Sequence, residues 1–293
     1  MTSNIACGPV ITSGDNDAIS INSLTFGYPG CPPFVSDFTL KLPRGSRCLL
    51  IGANGAGKST LLQIMAGKFL VPEDAVRIIG RPAFHDLQLT SSGELSYLGS
   101  SWRRDVAFAG YDMPLQGDIG AGEMIFGVDG VDPARREKLI HILDIDLDWR
   151  MNTVSDGQRR RVQICMGLLK PYEVLLLDEI TVDMDVLGRL DLLEFFRQEC
   201  EERSATIVYA THIFDGLEPW ITDVAYVAEG KLLRGGKKET VLPSAGSRKK
   251  LLLTVEAWLR EDYEKRKETG SWAPVQTTRT PANMPSKHMA FFR

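Results

Sequence analysis

The stretch Gly52-Ala53-Asn54-Gly55-Ala56-Gly57-Lys58-Ser59-Thr60 packs three glycines, one amine and two hydroxyls into nine residues. It follows the apolar run RCLLI and precedes the helix-forming run LLQIMA, which Gly67 can close. In that strand, loop and helix setting, the spacing G-x-x-x-x-G-K-[ST] has a definite chemistry. The glycines let consecutive backbone N–H groups turn inward as an anion nest, and the helix N-terminus adds the positive end of its dipole. Lys58 can then reach the β and γ phosphates of a nucleotide, while the Ser59 hydroxyl can bind Mg²⁺. Gly52, Asn54, Gly55, Ala56, Gly57, Lys58, Ser59 and Thr60 are therefore the first candidate binding residues.

Two further clusters carry groups that suit the same substrate. The run Val174 to Leu177 leads directly into Asp178-Glu179, and Ala205 to Ala210 leads into Thr211-His212. Asp178 suits a magnesium shell, and Glu179 suits the orienting or deprotonation of an attacking water. His212 can hydrogen-bond a γ-phosphate oxygen. A strand ending in Asp-Glu, or a lone histidine, is ordinary by itself; the phosphate loop gives both a role. The candidate catalytic set is thus Glu179, His212 and Lys58, with Ser59 and Asp178 as metal residues. Nothing converges on His85, His141 or His288, which read as ordinary polar positions.

These groups can meet only if their strands lie side by side. Arg47 to Ile51, Val174 to Leu177 and Ala205 to Ala210 are near-continuously apolar, as strands covered on both faces should be. Short apolar runs alternate with helical periodicity, which predicts an α/β fold with a mainly parallel central sheet. In such a sheet ligands bind outside the carboxyl ends of the strands, so the three polar clusters should converge on one crevice.

The bulk properties narrow the class. With 293 residues and 43% hydrophobic content, a substantial core is available. The net charge of −4 argues against direct nucleic-acid binding, and the basic runs Arg159 to Arg161 and Arg248 to Lys250 read as solvated helix faces. No apolar stretch approaches the roughly 18 to 20 residues that span a bilayer. The start MTSNIACGPVITSGDNDA lacks the basic and apolar regions of a secretory signal, so a cytoplasmic address is expected, with membrane association only through a partner. Five cysteines with no C-x-x-C pair suggest neither zinc nor a disulfide framework, and Cys48 and Cys165 read as core filling.

Between the second and third clusters' strands and the phosphate loop sits Val154-Ser155-Asp156-Gly157-Gln158-Arg159-Arg160-Arg161. Ser155 can cap a helix whose apolar stripe is Val162, Cys165, Met166 and Leu169, giving a second anion site. Here the chain resembles the ATP-binding cassette (ABC) family, whose signature is LSGGQ-x-x-R; the 20-residue step from Gln158 to Asp178 is of the kind that family shows. The resemblance spans about residues 18–242. It implies a P-loop NTPase fold with an N-terminal antiparallel β portion, an inserted helical lobe at about 100–155, and ATP and Mg²⁺ as cofactors. It also implies that the signature of one chain, through Ser155, Gly157 and Gln158, closes over ATP held by the phosphate loop of another. The expected partner is an identical chain or a paralogous ABC protein, in a head-to-tail dimer.

By the same resemblance Tyr28, in FGYPG, is an adenine-stacking platform, Asp185 belongs to the loop signalling between the two sites, and His212 is a switch histidine. Two departures stand out. The family expects a glutamine soon after Leu95 to Leu98, where this chain reads GSSWRRDV and reaches its next glutamine at Gln116. Asp156 replaces the usual glycine and would set a carboxylate beside an incoming γ-phosphate. The wording V-S-D-G-Q-R-R-R and L-L-L-D-E-I-T-V-D is most similar to the soluble, non-intrinsic cassette proteins of plants and fungi, associated with regulatory complexes. Three functions follow: a cytosolic ATPase switch, the nucleotide-binding subunit of a multi-part transporter, or an ATP-gated scaffold with little turnover. Flanking segments are expected at 1–17, a flexible N-terminus, and at 243–293, a helix and disordered tail in which Leu251, Leu252, Val255, Leu259 and Tyr263 lie near helical spacing, packing on the domain or on a partner.

Overall fold

A computed structural model describes residues 17–99, 118–242 and 250–268. The expected N-terminal and C-terminal tails, Gln116 with the stretch 100–117 of the helical lobe, and His288 lie outside the described residues. In chain order the elements are β1 (Asp17–Phe26), β2 (Val35–Pro43), β3 (Arg47–Ile51), α1 (Lys58–Met65), β4 (Val76–Ile78), β5 (Arg81–Pro82), α2 (Leu87–Ser91) and β6 (Leu95–Leu98). Then come α3 (Ala121–Phe126), α4 (Pro133–Ile142), α5 (Asp156–Leu168), β7 (Val174–Asp178), α6 (Val186–Arg203), β8 (Thr206–Ala210), α7 (Leu217–Trp220), β9 (Asp223–Ala228), β10 (Lys231–Lys237), α8 (Lys238–Val241) and α9 (Lys250–Glu268).

Two sheets organise them. One is antiparallel, in the order β2-β1-β4-β5, and the other runs β10-β9-β3-β8-β7-β6. In the second, β9, β3, β8, β7 and β6 are parallel and only β10 is reversed. Alternation divides the core between the two faces of this sheet. Leu49, Ile51, Leu175, Leu177, Ile207 and Tyr209 point into one cluster with α5 and α6, while Cys48, Leu50, Val174, Leu176, Val208 and Ala210 point into another with α1 and the antiparallel sheet. Burial on both faces is what the unbroken apolar runs required, and Cys48 and Cys165 are buried as expected.

Register brings the strand ends level. Leu50 pairs with Ala210, and Ala210 pairs with Asp178, so the residues that follow β3, β7 and β8 emerge at one edge. Gly67 lies one residue past the C-cap Ala66 of α1, at φ 68°, the left-handed position where glycine is favoured.

The C-terminal helix turns most of the expected stripe inward, with Leu259 packed partly buried against the core. Leu251, Val255, Trp258 and Asp262 are buried, whereas Leu252 and Tyr263 are 45% and 55% exposed. Trp258 packs 5.1 Å from Tyr226, centroid to centroid, and the Tyr226 hydroxyl donates to Asp262. Trp258 and Asp262 widen the inward face beyond that stripe, and a buried carboxylate is invisible to hydrophobic periodicity.

Candidate active site

The phosphate loop is shaped by what its glycines exclude. A Cβ on Gly52 would lie 2.3 Å from the Val227 carbonyl oxygen, so the loop can leave β3 only at a glycine. Gly55 and Gly57 adopt φ of 80° and 108°, and Gly57 is the N-cap of α1. The buried Lys58 ammonium donates to the carbonyls of Gly52 at 2.8 Å and Ala53 at 3.1 Å, folding the side chain back over the loop. Burial lowers the Lys58 pKa, and the nearby carboxylates of Glu179 and Asp178 oppose that shift.

Asp178 sits buried at the end of β7. Burial raises its pKa, against hydrogen bonds from Ser59 and Tyr97 that favour the ionised form. The expected metal residues, Ser59 and Asp178, are therefore in direct contact. Their donor set, one hydroxyl and one carboxylate, fits Mg²⁺, which takes hard oxygen ligands and completes its shell with substrate phosphates and water.

Glu179 follows at φ 52°, a left-handed conformation that is costly for a residue with a Cβ, and its N–H donates to the Ala210 carbonyl at 2.9 Å. That turn brings its carboxylate 2.9 Å from His212 Nε2. Their side chains remain 35% and 46% exposed, open to the crevice from which a substrate would enter. Tyr28 stands beside α1, its hydroxyl 2.9 Å from the Thr60 hydroxyl. Edge contacts with Phe26 and Phe69, at 5.4 and 5.8 Å between centroids, hold its ring.

The signature residues form a separate group. Ser155 caps α5 by accepting from Gln158 N–H at 3.2 Å, while Gln158 Oε1 accepts from Ser155 N–H at 3.0 Å, a reciprocal capping box. Gly157 faces Asp183, and Asp185 caps α6 by accepting from Gly188 N–H at 2.7 Å. Among the described residues no hydrogen bond or ion pair joins Ser155, Gly157 or Gln158 to residues 52–60. The structure thus brings together Lys58, Ser59, Thr60, Tyr28, Asp178, Glu179 and His212, and leaves the signature apart. Sequence reasoning missed Tyr97, whose hydroxyl donates to Asp178 Oδ2 at 3.3 Å. The available signal was its place on a strand that ends beside the Asp178 strand.

Residues 35–182 match the family described as ABC transporter. The chain belongs to the ABC family. It is 57% identical over 278 residues to "ABC transporter I family member 20" of Arabidopsis thaliana, spanning 90% of this chain and 84% of the relative. It is 42% identical over 231 residues to "CCR4-associated factor 16" of Saccharomyces cerevisiae, spanning 74% and 77%. The solved "Structure of ATP binding subunit of ABC transporter" superposes with a TM-score of 0.64 at 21% identity, over 85% of this chain and 99% of that one, which establishes the fold. This ABC chain is an ATPase: it binds ATP, and ATP hydrolysis is its reaction. Among the described residues no helix is long and apolar enough to cross a membrane.

Proposed function

We propose that this ABC chain is a cytosolic regulatory switch that binds and hydrolyses MgATP across a head-to-tail dimer. The observation that carries the catalytic part is the meeting of Lys58, Ser59, Asp178, Glu179 and His212 at one edge of the parallel sheet, with Glu179 and His212 in contact at 2.9 Å. Lys58 exchanges the Gly52 and Ala53 carbonyls for β and γ phosphate oxygens. Ser59 and Asp178 would hold magnesium, which would supply positive charge against the phosphate oxygens. Glu179 accepts the proton of the attacking water, and His212, braced by Glu179, hydrogen-bonds a γ-phosphate oxygen. Tyr28 stacks on adenine. Ser155, Gly157 and Gln158 of a second chain close over the γ-phosphate, with Asp185 relaying between the two sites. The name of the yeast relative, an associated factor, favours a regulatory complex; the name of the Arabidopsis relative supports the second reading, the nucleotide-binding subunit of a transporter.

Lys58→Ala tests the site. It should weaken ATP binding by at least about a hundredfold, or about 2.7 kcal/mol, in calorimetry. Equal affinity in mutant and wild type would refute the assignment of the loop. Tagged purification with mass spectrometry, combined with carbonate washing of membranes, separates the two roles: recovery with integral membrane proteins and retention in the washed pellet would reject the cytosolic switch.

A further inference from the structure

We propose that Tyr97 is a positioning residue that fixes the rotation of the Asp178 carboxylate for the divalent cation bound with ATP. The inference rests on the reading of Asp178 as the metal carboxylate and adds a residue that neither the loop nor the signature contains. Tyr97 pairs in register with Leu176 across β6 and β7, so Asp178, two residues on, lies on the same face of the sheet. Diagonal neighbours across a strand pair are roughly 7 to 8 Å apart, a span that a phenol can bridge and most side chains cannot. The Tyr97 hydroxyl does so, donating to Asp178 Oδ2 at 3.3 Å, while Ser59 bonds the same carboxylate from α1.

Three further features hold the phenol in place. A Cβ on Gly99 would lie 2.2 Å from the Tyr97 hydroxyl, so glycine at that position is what leaves room for it. Arg160 Nη1 donates to the Gly99 carbonyl at 2.9 Å and pins that backbone from α5. The Lys68 ammonium stands 4.5 Å from the ring centroid, a cation–π contact that keeps the ring against the end of α1. The sequence after β6, from Gly99 to Leu115, offers no glutamine. Tyr97 therefore supplies, from the strand itself, a polar group directed at the metal carboxylate.

The test is Tyr97→Phe in the full chain, which removes the hydroxyl and keeps the ring under Lys68. Mn²⁺ binding to the ATP-loaded protein is read by electron paramagnetic resonance, and ATP binding in excess chelator by calorimetry. Mn²⁺ affinity should fall about three- to tenfold, the scale of one ordinary net hydrogen bond, with metal-free ATP affinity unchanged. In an Asp178→Asn background the same substitution should add nothing, because the metal-binding carboxylate it orients is gone. Unchanged Mn²⁺ affinity, an equal loss of metal-free ATP affinity, or a full further loss in the Asp178→Asn background would each overturn the proposal. Absence of ATP-dependent Mn²⁺ binding in the wild type would instead overturn the underlying reading of Asp178, and this inference with it.

Discussion

Arg159 Nη1 donates to the Asp156 carboxylate at 2.8 Å, one turn along α5, so the acidic residue in the signature carries its own counter-charge. The Asp156 side chain is 69% exposed, so its carboxylate is well hydrated. The penalty expected of a carboxylate beside an incoming γ-phosphate is therefore partly cancelled within the chain. Asp156→Gly should speed hydrolysis or tighten ATP-driven closure by no more than about 1 kcal/mol, the scale of exposed charge pairs. Arg159→Ala should expose the charge and slow hydrolysis, and Asp156→Gly should then gain more in that background than in the wild type. Steady-state ATPase rates of the four proteins check this cycle; a slower Asp156→Gly enzyme would give Asp156 a positive role.

The buried Asp178 leads to a prediction about the nucleotide-free protein. Its pKa is raised in the fold, chiefly by burial, so between the unfolded value near 3.8 and the higher folded value the native state binds more protons than the unfolded one. Stability from this group therefore falls as pH rises through that window and is lowest above the folded pKa. Asp178→Asn should raise apo stability at neutral pH, and the difference between mutant and wild type should shrink as pH drops below the folded pKa. Urea unfolding from neutral pH to about pH 4 measures that difference, in which the other carboxylates cancel. A mutant less stable than wild type at pH 7 would contradict it.

Much of this was legible. Continuous apolar strands and the glycine spacing specified the loop, and Ser155 capped α5 as its sequence demanded. What was not legible depended on strand order and on buried polar pairs. Convergence of the Glu179 and His212 clusters was expected from the sequence, but the direct pairing of β7 with β8 that puts Glu179 against His212 was not. Tyr97 belonged to no motif, and its partner is set by register alone. The inward face of α9 extends past its apolar stripe to Asp262, which is buried with a hydrogen bond rather than by hydrophobicity.

That hydrogen bond has a measurable weight. Tyr226 is fully buried and is the described donor to Asp262, and burial together with the Asp262 charge pushes its phenol well above the ordinary range. Tyr226→Phe should destabilise the protein by about 1 to 3 kcal/mol, because a buried carboxylate loses a donor. ATP affinity should be unaffected, since α9 packs away from the phosphate loop. Denaturant unfolding gives the first quantity and calorimetry the second; a neutral substitution would mean that α9 is held by Trp258 and its apolar neighbours alone.

The dimer gives the most demanding prediction. Ser155 and Gln158 are bonded to each other at the start of α5, and among the described residues no hydrogen bond or ion pair joins them to residues 52–60, so in the proposed reading the signature and the phosphate loop of one chain would serve different nucleotides. Two chains facing each other would complete both. Glu179→Gln keeps the size of the side chain and a hydrogen bond to His212 but removes the anionic base, so ATP should bind and remain unhydrolysed. The closed pair should then accumulate, whereas the wild type without nucleotide should be mostly monomeric, because in the proposed pair only bound MgATP would bridge the two chains. Light scattering of Glu179→Gln with MgATP should give twice the monomer mass, returning to the monomer when ATP is withheld. Adding Ser155→Arg should block closure sterically at the opposing phosphate. Dimerisation of that double mutant with ATP, or hydrolysis by Glu179→Gln at the wild-type rate, would exclude closure in trans.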